Sequence, residues 1–382
     1  MVAPPRLVLD GWYMAAFSDE VGRTLLQRWI CNRPVVFYRL SDGSVNALED
    51  RCPHRRYPLS LGRLDGDVIE CNYHGYRIAD DGVCVGVAEQ PDQPRASVVR
   101  FPLVEKDGVI WIWPGNPANA DPADLPDTWW LSDPGWTHVH GNVGLKARQV
   151  LLVENLLDLT HETFLHPGSI GNAAVAATPI DVTSDTKSVS FIRHMIGIEA
   201  PPFYQKSMGL TSPIDRWQDG DFYAPGVFVL NIRLAPTGTE EPDGFHMKVL
   251  YGMTPATDTT THDFFCLGRD YGIDDAELSE FQLTQQLAVM QEDIDALEIQ
   301  ELMVATDPGM LESSIRSDVA GVRGRRLLDK MAKKEAAAAA AAPGRRPAAA
   351  AAPARSTTVA STSSSLDAET SPAAAPAGVA AP

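Results

Sequence analysis

The segments Cys52-Pro53-His54-Arg55 and Cys71-Asn72-Tyr73-His74-Gly75-Tyr76 decide how this chain is read. Each carries one thiol and one imidazole, as C-x-H and then C-x-x-H, with sixteen residues between His54 and Cys71. Thiolates suit soft or redox-active metals, and neutral imidazoles bind iron or zinc. Two of each can hold a [2Fe–2S] cluster, with the cysteines on one iron and the histidines on the other. Replacing two anionic sulfurs with neutral nitrogens raises the reduction potential, so the motif points to an electron relay. Pro53 and Gly75 permit the sharp turns that bring each ligand pair together. Tetrahedral zinc is the alternative for this ligand count. Zinc modules, however, more often separate both ligand pairs by two or more residues.

Around these segments the composition sets bounds. With 382 residues the chain has length for about two or three domains. Its formal charge of −18 argues against nucleic acid, which needs a basic surface. No apolar run is long enough to cross a bilayer, and the first residues lack a signal peptide's charged and apolar regions. Beyond Cys52 and Cys71, the cysteines Cys31, Cys84 and Cys266 are scattered. That pattern suggests no disulfide framework and is at home in a reducing cytoplasm.

Residues 10–115 read as short strands broken by turns, such as Pro34–Leu40 before Ser41-Asp42-Gly43 and Gly108–Trp113 before Pro114-Gly115. They predict a small all-β domain over residues 1–115 with the metal loops at its tip. Pro114–Pro126 reads as a linker. A mixed α+β region follows over 116–335, with strands at Ser188–Met195, Gly226–Leu234 and His246–Met253. A long helix is expected over Asp274–Thr306, with Leu283, Leu287, Met290, Ile294 and Leu297 as its apolar stripe. From Ala336 to Pro382 the alanine, proline and serine content predicts a disordered tail.

A second constellation lies in Glu154–Gly168. If helical, Asn155, Asp158 and His161 share one face. His166 would lie about 140° round from His161, but Pro167 disfavours helical geometry at His166. The helix should end there and let the imidazole turn back toward His161. Two histidines then need one carboxylate to form a facial triad on Fe(II). Glu292, Asp293, Asp295, Glu298 and Glu301 on the late helix are candidates. Glu292 and Asp295 point away from the apolar stripe, and periodicity does not choose among the others.

Together the two motifs resemble the Rieske non-haem iron oxygenases, and the vanillate O-demethylase branch in particular, from Trp12 to about residue 334. Asn155–His166, Ser169–Gly171, Arg193–Met195, Ala200–Phe203, Asp215–Gln218 and Gly321–Val322 with Arg325-Arg326 carry the likeness. The resemblance implies an N-terminal all-β Rieske [2Fe–2S] domain followed by a helix-grip, START-like α+β catalytic domain. It makes Cys52, His54, Cys71 and His74 the cluster ligands. It makes His161, His166 and Asp293 the iron ligands, Asp293 through Gln291-Glu292-Asp293. It assigns Asp158, with Asn155 beside it, to the catalytic machinery. In relatives the acidic residue at Asp158 bridges a cluster histidine of one subunit to an iron histidine of its neighbour, implying a homotrimer. The extra loop cysteines of respiratory Rieske proteins are absent. Relatives commonly have small residues where this chain has Arg56 and Tyr57.

The reaction so implied is oxidative O-demethylation in aromatic catabolism, such as lignin degradation. Vanillate and O2 would give protocatechuate and formaldehyde. NADH or NADPH would supply electrons through a separate flavin and iron–sulfur reductase. Another aromatic acid or a ring hydroxylation would fit the same scaffold, and a simple electron-transfer or zinc protein is the remaining rival. For the substrate carboxylate, Asn231 and Arg233 alternate onto one strand face with Val229. Either they contact the substrate or that face simply meets solvent.

Overall fold

The computed structural model describes residues 7–211, 213–239 and 244–341. Ten strands come first: β1 (Tyr13–Phe17), β2 (Leu26–Ile30), β3 (Arg33–Arg39), β4 (Val45–Glu49), β5 (Arg63–Asp65), β6 (Val68–Glu70), β7 (Tyr76–Ile78), β8 (Cys84–Val87), β9 (Leu103–Lys106) and β10 (Val109–Ile112). They form three small antiparallel sheets, ordered β1-β10-β9, β2-β3-β4 and β5-β6-β7-β8. Every residue of β1 and β10 is buried, so these strands are apolar throughout rather than alternating. The β2–β3 hairpin turns on Cys31 and Asn32, both at positive φ, the geometry that matches strand twist in a two-residue loop.

The expected linker over 114–126 is not slack. Asn116 and Asp121 cap two single 3-10 turns, and Trp12 Nε1 donates to the Asp121 carbonyl, 2.8 Å.

Seven further strands make one antiparallel sheet: β11 (Thr137–Leu145), β12 (Asp181–Ser184), β13 (Ser188–Ile198), β14 (Ile214–Tyr223), β15 (Val227–Pro236), β16 (Phe245–Thr257) and β17 (Thr260–Arg269). Their order is β11-β17-β16-β15-β14-β13-β12. The helices are α1 (Gln149–Leu157), α2 (Glu162–Leu165), α3 (Ala173–Ala177), α4 (Pro202–Met208), α5 (Ala276–Thr306) and α6 (Val319–Ala341). The sheet is covered on both faces. Phe228, Leu230 and Ile232 join the α1, α5 and α6 residues in one core. Val227 and Val229, from the same strand, pack with Trp12, Met14 and Trp111 of the N-terminal sheets. No described helix is long and apolar enough to cross a membrane.

Two expectations change. The buried stripe of α5 is Gln282, Gln286, Val289, Met290, Leu297 and Glu301, while Leu287 is exposed. Polar partners displace leucine here: Arg269 donates to Gln282, and Arg148 pairs with Glu301 at 2.6 Å. The second change is at the tail, where α6 continues through 336–341 because alanine is the strongest helix former. The remainder of the expected tail, 342–382, lies outside the described residues. Gly324 lets α6 approach α1, since a Cβ there would stand 2.6 Å from Leu157 Cδ1.

Candidate active site

The first metal motif occupies two loops built on one hydrogen-bonding plan. Cys52 N donates to Tyr57 O and Arg56 N to Cys52 O. In the second loop Cys71 N donates to Tyr76 O and Gly75 N to Cys71 O. Both loops need a left-handed residue before the closing tyrosine, and these are Arg56 (φ 61) and Gly75 (φ 72). The unusual Arg56 therefore takes the place that glycine fills in the second loop. Both thiols are buried. Burial, the largest influence, pushes Cys52 up to about 11 with help from the adjacent Cys71, against a backbone hydrogen bond at His54 that lowers it. A pair of thiolates at this depth requires a cation beside it.

The imidazoles fit a metal as well. The His54 and His74 rings lie 4.5 Å apart, and His54 stacks on Tyr76 at 4.7 Å. His54 Nδ1 is buried without a hydrogen-bond partner, as a nitrogen reserved for a metal would be. His74 is exposed. No three of these four ligands approach one another as closely as the second motif's ligands do. Their spacing fits a two-iron unit better than one tetrahedral zinc with bonds of about 2.0–2.3 Å.

The second motif is not one continuous helix. α1 stops at Leu157, because Asp158 adopts φ −127 and ψ 89. A 3-10 turn over Leu159–His161 follows, and α2 ends at Leu165 before His166 and Pro167. The expected stop at His166 does bring the rings together, 5.2 Å apart. Asp293 Oδ1 on α5 lies 3.5 Å from His161 Nε2 and 3.3 Å from His166 Nε2. The three ligand atoms fall within 4.8 Å of one another, the only such trio of His, Cys, Asp or Glu among the described residues.

Each histidine's other nitrogen is held. His161 Nδ1 lies 2.7 Å from the Asp158 carbonyl, and His166 Nδ1 lies 2.5 Å from Glu292 Oε2. With Nδ1 protonated, both Nε2 lone pairs face Asp293, the arrangement of a metal ligand with its orienting partner. Asn155 Nδ2 donates to Asp293 Oδ1 at 3.0 Å and fixes the carboxylate. Two expectations are corrected. Glu292 does not point away from the site; it holds His166, because that ring reaches across to the flank of α5. The Asp158 carboxylate does not bond His161 either. It accepts from Thr160 N and Oγ1 to cap the 3-10 turn, and the main-chain carbonyl holds the ring.

Behind the histidines lies a charged group that pattern reading missed. Glu162 is buried and accepts from Arg216 Nη2 at 3.0 Å and Gln218 Nε2 at 2.8 Å. Arg216 also donates to the Ile170 carbonyl and the Tyr204 hydroxyl. The available signal was the alternation in Ile214–Tyr223, which puts Arg216 and Gln218 on a face otherwise built to be buried.

A narrow cavity of about 50 Å³ adjoins the triad. Its walls are mostly apolar, with Phe203, Phe228, Leu230, Ile232 and Val249 facing Gln286, Tyr251 and Asp293. Asn231 and Arg233 are not among them. The strand alternation is as expected, but the even-numbered residues of β15 face the cavity and 229, 231 and 233 face the other side of the sheet. Asn231 bonds the Lys248 ammonium there, and Arg233 lies over Trp217 at 4.1 Å. The correction has a physical cause: both faces of this sheet are covered, so alternation alone does not tell which face is the site. A larger recess of about 220 Å³ is lined by Phe17, His138, His140 and Cys266, away from the triad.

Residues 11–102 match the family model described as Rieske [2Fe-2S] domain, and residues 145–334 match that of the vanillate O-demethylase oxygenase C-terminal domain. The chain belongs to the Rieske non-haem iron oxygenases. It is 33% identical to a vanillate O-demethylase oxygenase subunit of Pseudomonas sp. (strain HR199 / DSM 7063), over 85% of this chain and 95% of that one. It is 32% identical to the toluene-4-sulfonate monooxygenase system iron-sulfur subunit of Comamonas testosteroni, over 85% and 96%. Crystal structures of dicamba monooxygenase cover 87% of this oxygenase and 99% of their own chain at 32% identity. The TM-score is 0.83 for the one bound to 3,6-dichlorosalicylic acid and 0.76 for the one with non-heme iron and dicamba. The cluster domain and the α+β catalytic domain of this Rieske oxygenase thus follow the expected fold class.

Proposed function

We propose that this Rieske oxygenase is the oxygenase component of an aromatic O-demethylase. Cys52, His54, Cys71 and His74 would hold the [2Fe–2S] cluster, and His161, His166 and Asp293 a mononuclear Fe(II). When bound, these groups supply single electrons and the activation of dioxygen. The observation that carries the reading is two Nε2 atoms and one carboxylate converging on the wall of a mostly apolar cavity.

The chain's own residues do the positioning. The Asp158 carbonyl and Glu292 keep both imidazoles in the tautomer that presents Nε2. Asn155 holds Asp293, and the apolar walls orient the ring and keep bulk water out. In the net reaction the methyl carbon of an aryl methyl ether gains one oxygen atom. The other leaves as water, with two electrons and two protons consumed. The resulting hemiacetal collapses to a phenol and formaldehyde. Vanillate would give protocatechuate and is the reference substrate.

Electrons would come from NADH or NADPH through a separate flavin and iron–sulfur reductase, in keeping with relatives named as subunits and components. A homotrimer is supported by the exposed His74 and by Asp158 Oδ2, for which the described residues offer no partner. These would meet across subunits, so that electrons pass from one chain's cluster to the next chain's iron. Beyond the two cluster ligands, the free, buried Cys31, Cys84 and Cys266 support a reducing cytoplasm.

The test is formaldehyde release from a panel of methoxyarenes by the iron-loaded enzyme with a generic reductase. About one formaldehyde per O2 consumed is expected. A hydroxylated ring that retains its methoxy group would replace this reading with ring hydroxylation.

A further inference from the structure

We infer that Tyr73 and Phe164 form the apolar contact by which one subunit's cluster loops seat on the next subunit's iron site, with Arg55 and Arg56 facing acids of α5 beside it. The inference rests on the homotrimer reading and names the side chains that close its interface, the occupant being a second copy of this chain. Each metal motif carries one large aromatic side chain turned away from its own core. In α2 the turn that buries Glu162 and His166, four residues apart on one face, puts Phe164 on the opposite face. Phe164 is 78% exposed and has no ring partner among the described residues. Tyr73, between Cys71 and His74, is 57% exposed, and its ring neighbours are Tyr57 and His74 of the two cluster loops.

Single exposed apolar residues are ordinary on a protein surface, but these two flank the ligands that the trimer would bring together. Aromatic side chains are the usual anchors at the centre of an interface. Within one chain they belong to separate cores. The cluster loops pack with Val36, Tyr38 and Ile69, whereas the elements around the triad pack with Phe228 and Leu230.

Charge is complementary across the same two surfaces. Arg23, Arg39, Arg63 and Arg77 of the cluster domain each meet a carboxylate. Arg55 and Arg56 are exposed and meet none among the described residues, in a chain of net charge −18. The cluster does not answer them, since two Fe(III), two sulfides and two thiolates are neutral together and reduction adds one negative charge. On α5, Glu292 and Asp295 are exposed, and neither meets a lysine or arginine among the described residues. Fe(II) on Asp293 leaves one positive charge against Asp158, Glu292 and Asp295, so this edge stays acidic with iron loaded. Arg56 also holds the left-handed φ of 61° that Gly75 adopts without cost in the second loop. Strain kept at such a position points to use of the side chain.

Sedimentation velocity of the holoenzyme, over a range of protein and sodium chloride concentrations, reads this interface directly. The wild type should sediment as a trimer. Phe164→Ser should raise the dissociation constant by about tenfold or more, with cluster absorbance and iron content retained. Arg56→Gly should raise it severalfold and flatten its salt dependence. Because that change relieves the strained φ, weaker assembly in this variant cannot come from a damaged loop. A wild-type trimer that neither substitution loosens would overturn the inference and leave the trimer standing. A wild type that stays monomeric at every concentration, with both metals bound, would remove the trimer reading and the inference with it.

Discussion

The two metal-binding regions of this oxygenase are built in opposite ways. The cluster ligands all come from two short loops, and each loop is closed by its own pair of main-chain hydrogen bonds around one left-handed residue. The triad joins His161 and His166 to Asp293, more than a hundred residues away on α5. It depends on a helix that breaks at Asp158, on Glu292, and on Asn155. A site held by local turns is set by its own few residues, whereas one held between distant elements depends on how those elements pack.

If the two regions are independent in this sense, each can be emptied alone. Cys71→Ser should abolish the cluster's visible absorbance and its EPR signal while the second site keeps its iron. Asp293→Ala should do the reverse, and both should lower turnover by more than about a hundredfold, as loss of a whole metal site requires. Metal analysis showing that either substitution empties both sites would break the comparison.

In the proposed trimer Asp158 would join the regions without ligating either metal. Asp158→Asn keeps the backbone carbonyl that holds His161, so both metals should remain while most turnover is lost. Full activity in this variant would show that electrons reach the iron by another route.

The triad's dependence on packing is sharpened at Arg216. Arg216→Met leaves Glu162 buried without its cation and should cost about 3–5 kcal/mol of stability, read from denaturant unfolding followed at the catalytic domain. A cost below about 1 kcal/mol would mean that the pair is not buried as described.

Glu292→Gln is expected to weaken iron binding at the triad by about 10–100-fold, the usual effect of losing a ligand's orienting partner, with the cluster spectrum unchanged. Competition with a chelator reads that loss, and unchanged affinity would remove Glu292 from the site. The smallest effect belongs to the loops. Arg56→Gly relieves a left-handed φ and should stabilise the cluster domain by about 1 kcal/mol, read from its thermal unfolding.

The legibility of each region follows from the same contrast. The cluster motif could be read because its ligands are one or two residues apart and sequence spacing fixes their geometry. The turn at His166 was readable for a similar reason, since Pro167 acts on its immediate neighbour. Choosing Asp293 over its neighbours on α5 required the family likeness, because a helical periodicity does not say which flank meets a histidine from another element. The expected stripe of α5 failed at Leu287 because burial there followed Gln282, Gln286 and Glu301, polar residues satisfied by partners far along the chain.

Sequence by itself therefore determined the ligand chemistry, the order of a β domain before an α+β domain, and the local turns that present each ligand pair. Only the tertiary structure decided which face of β15 lines the cavity, that Glu292 braces His166 while the Asp158 main-chain carbonyl braces His161, and that Glu162 and Arg216 pair beside them. The reason is physical: bond geometry and local sterics act between neighbours, whereas desolvation and charge pairing depend on what distant strands and helices place beside one another.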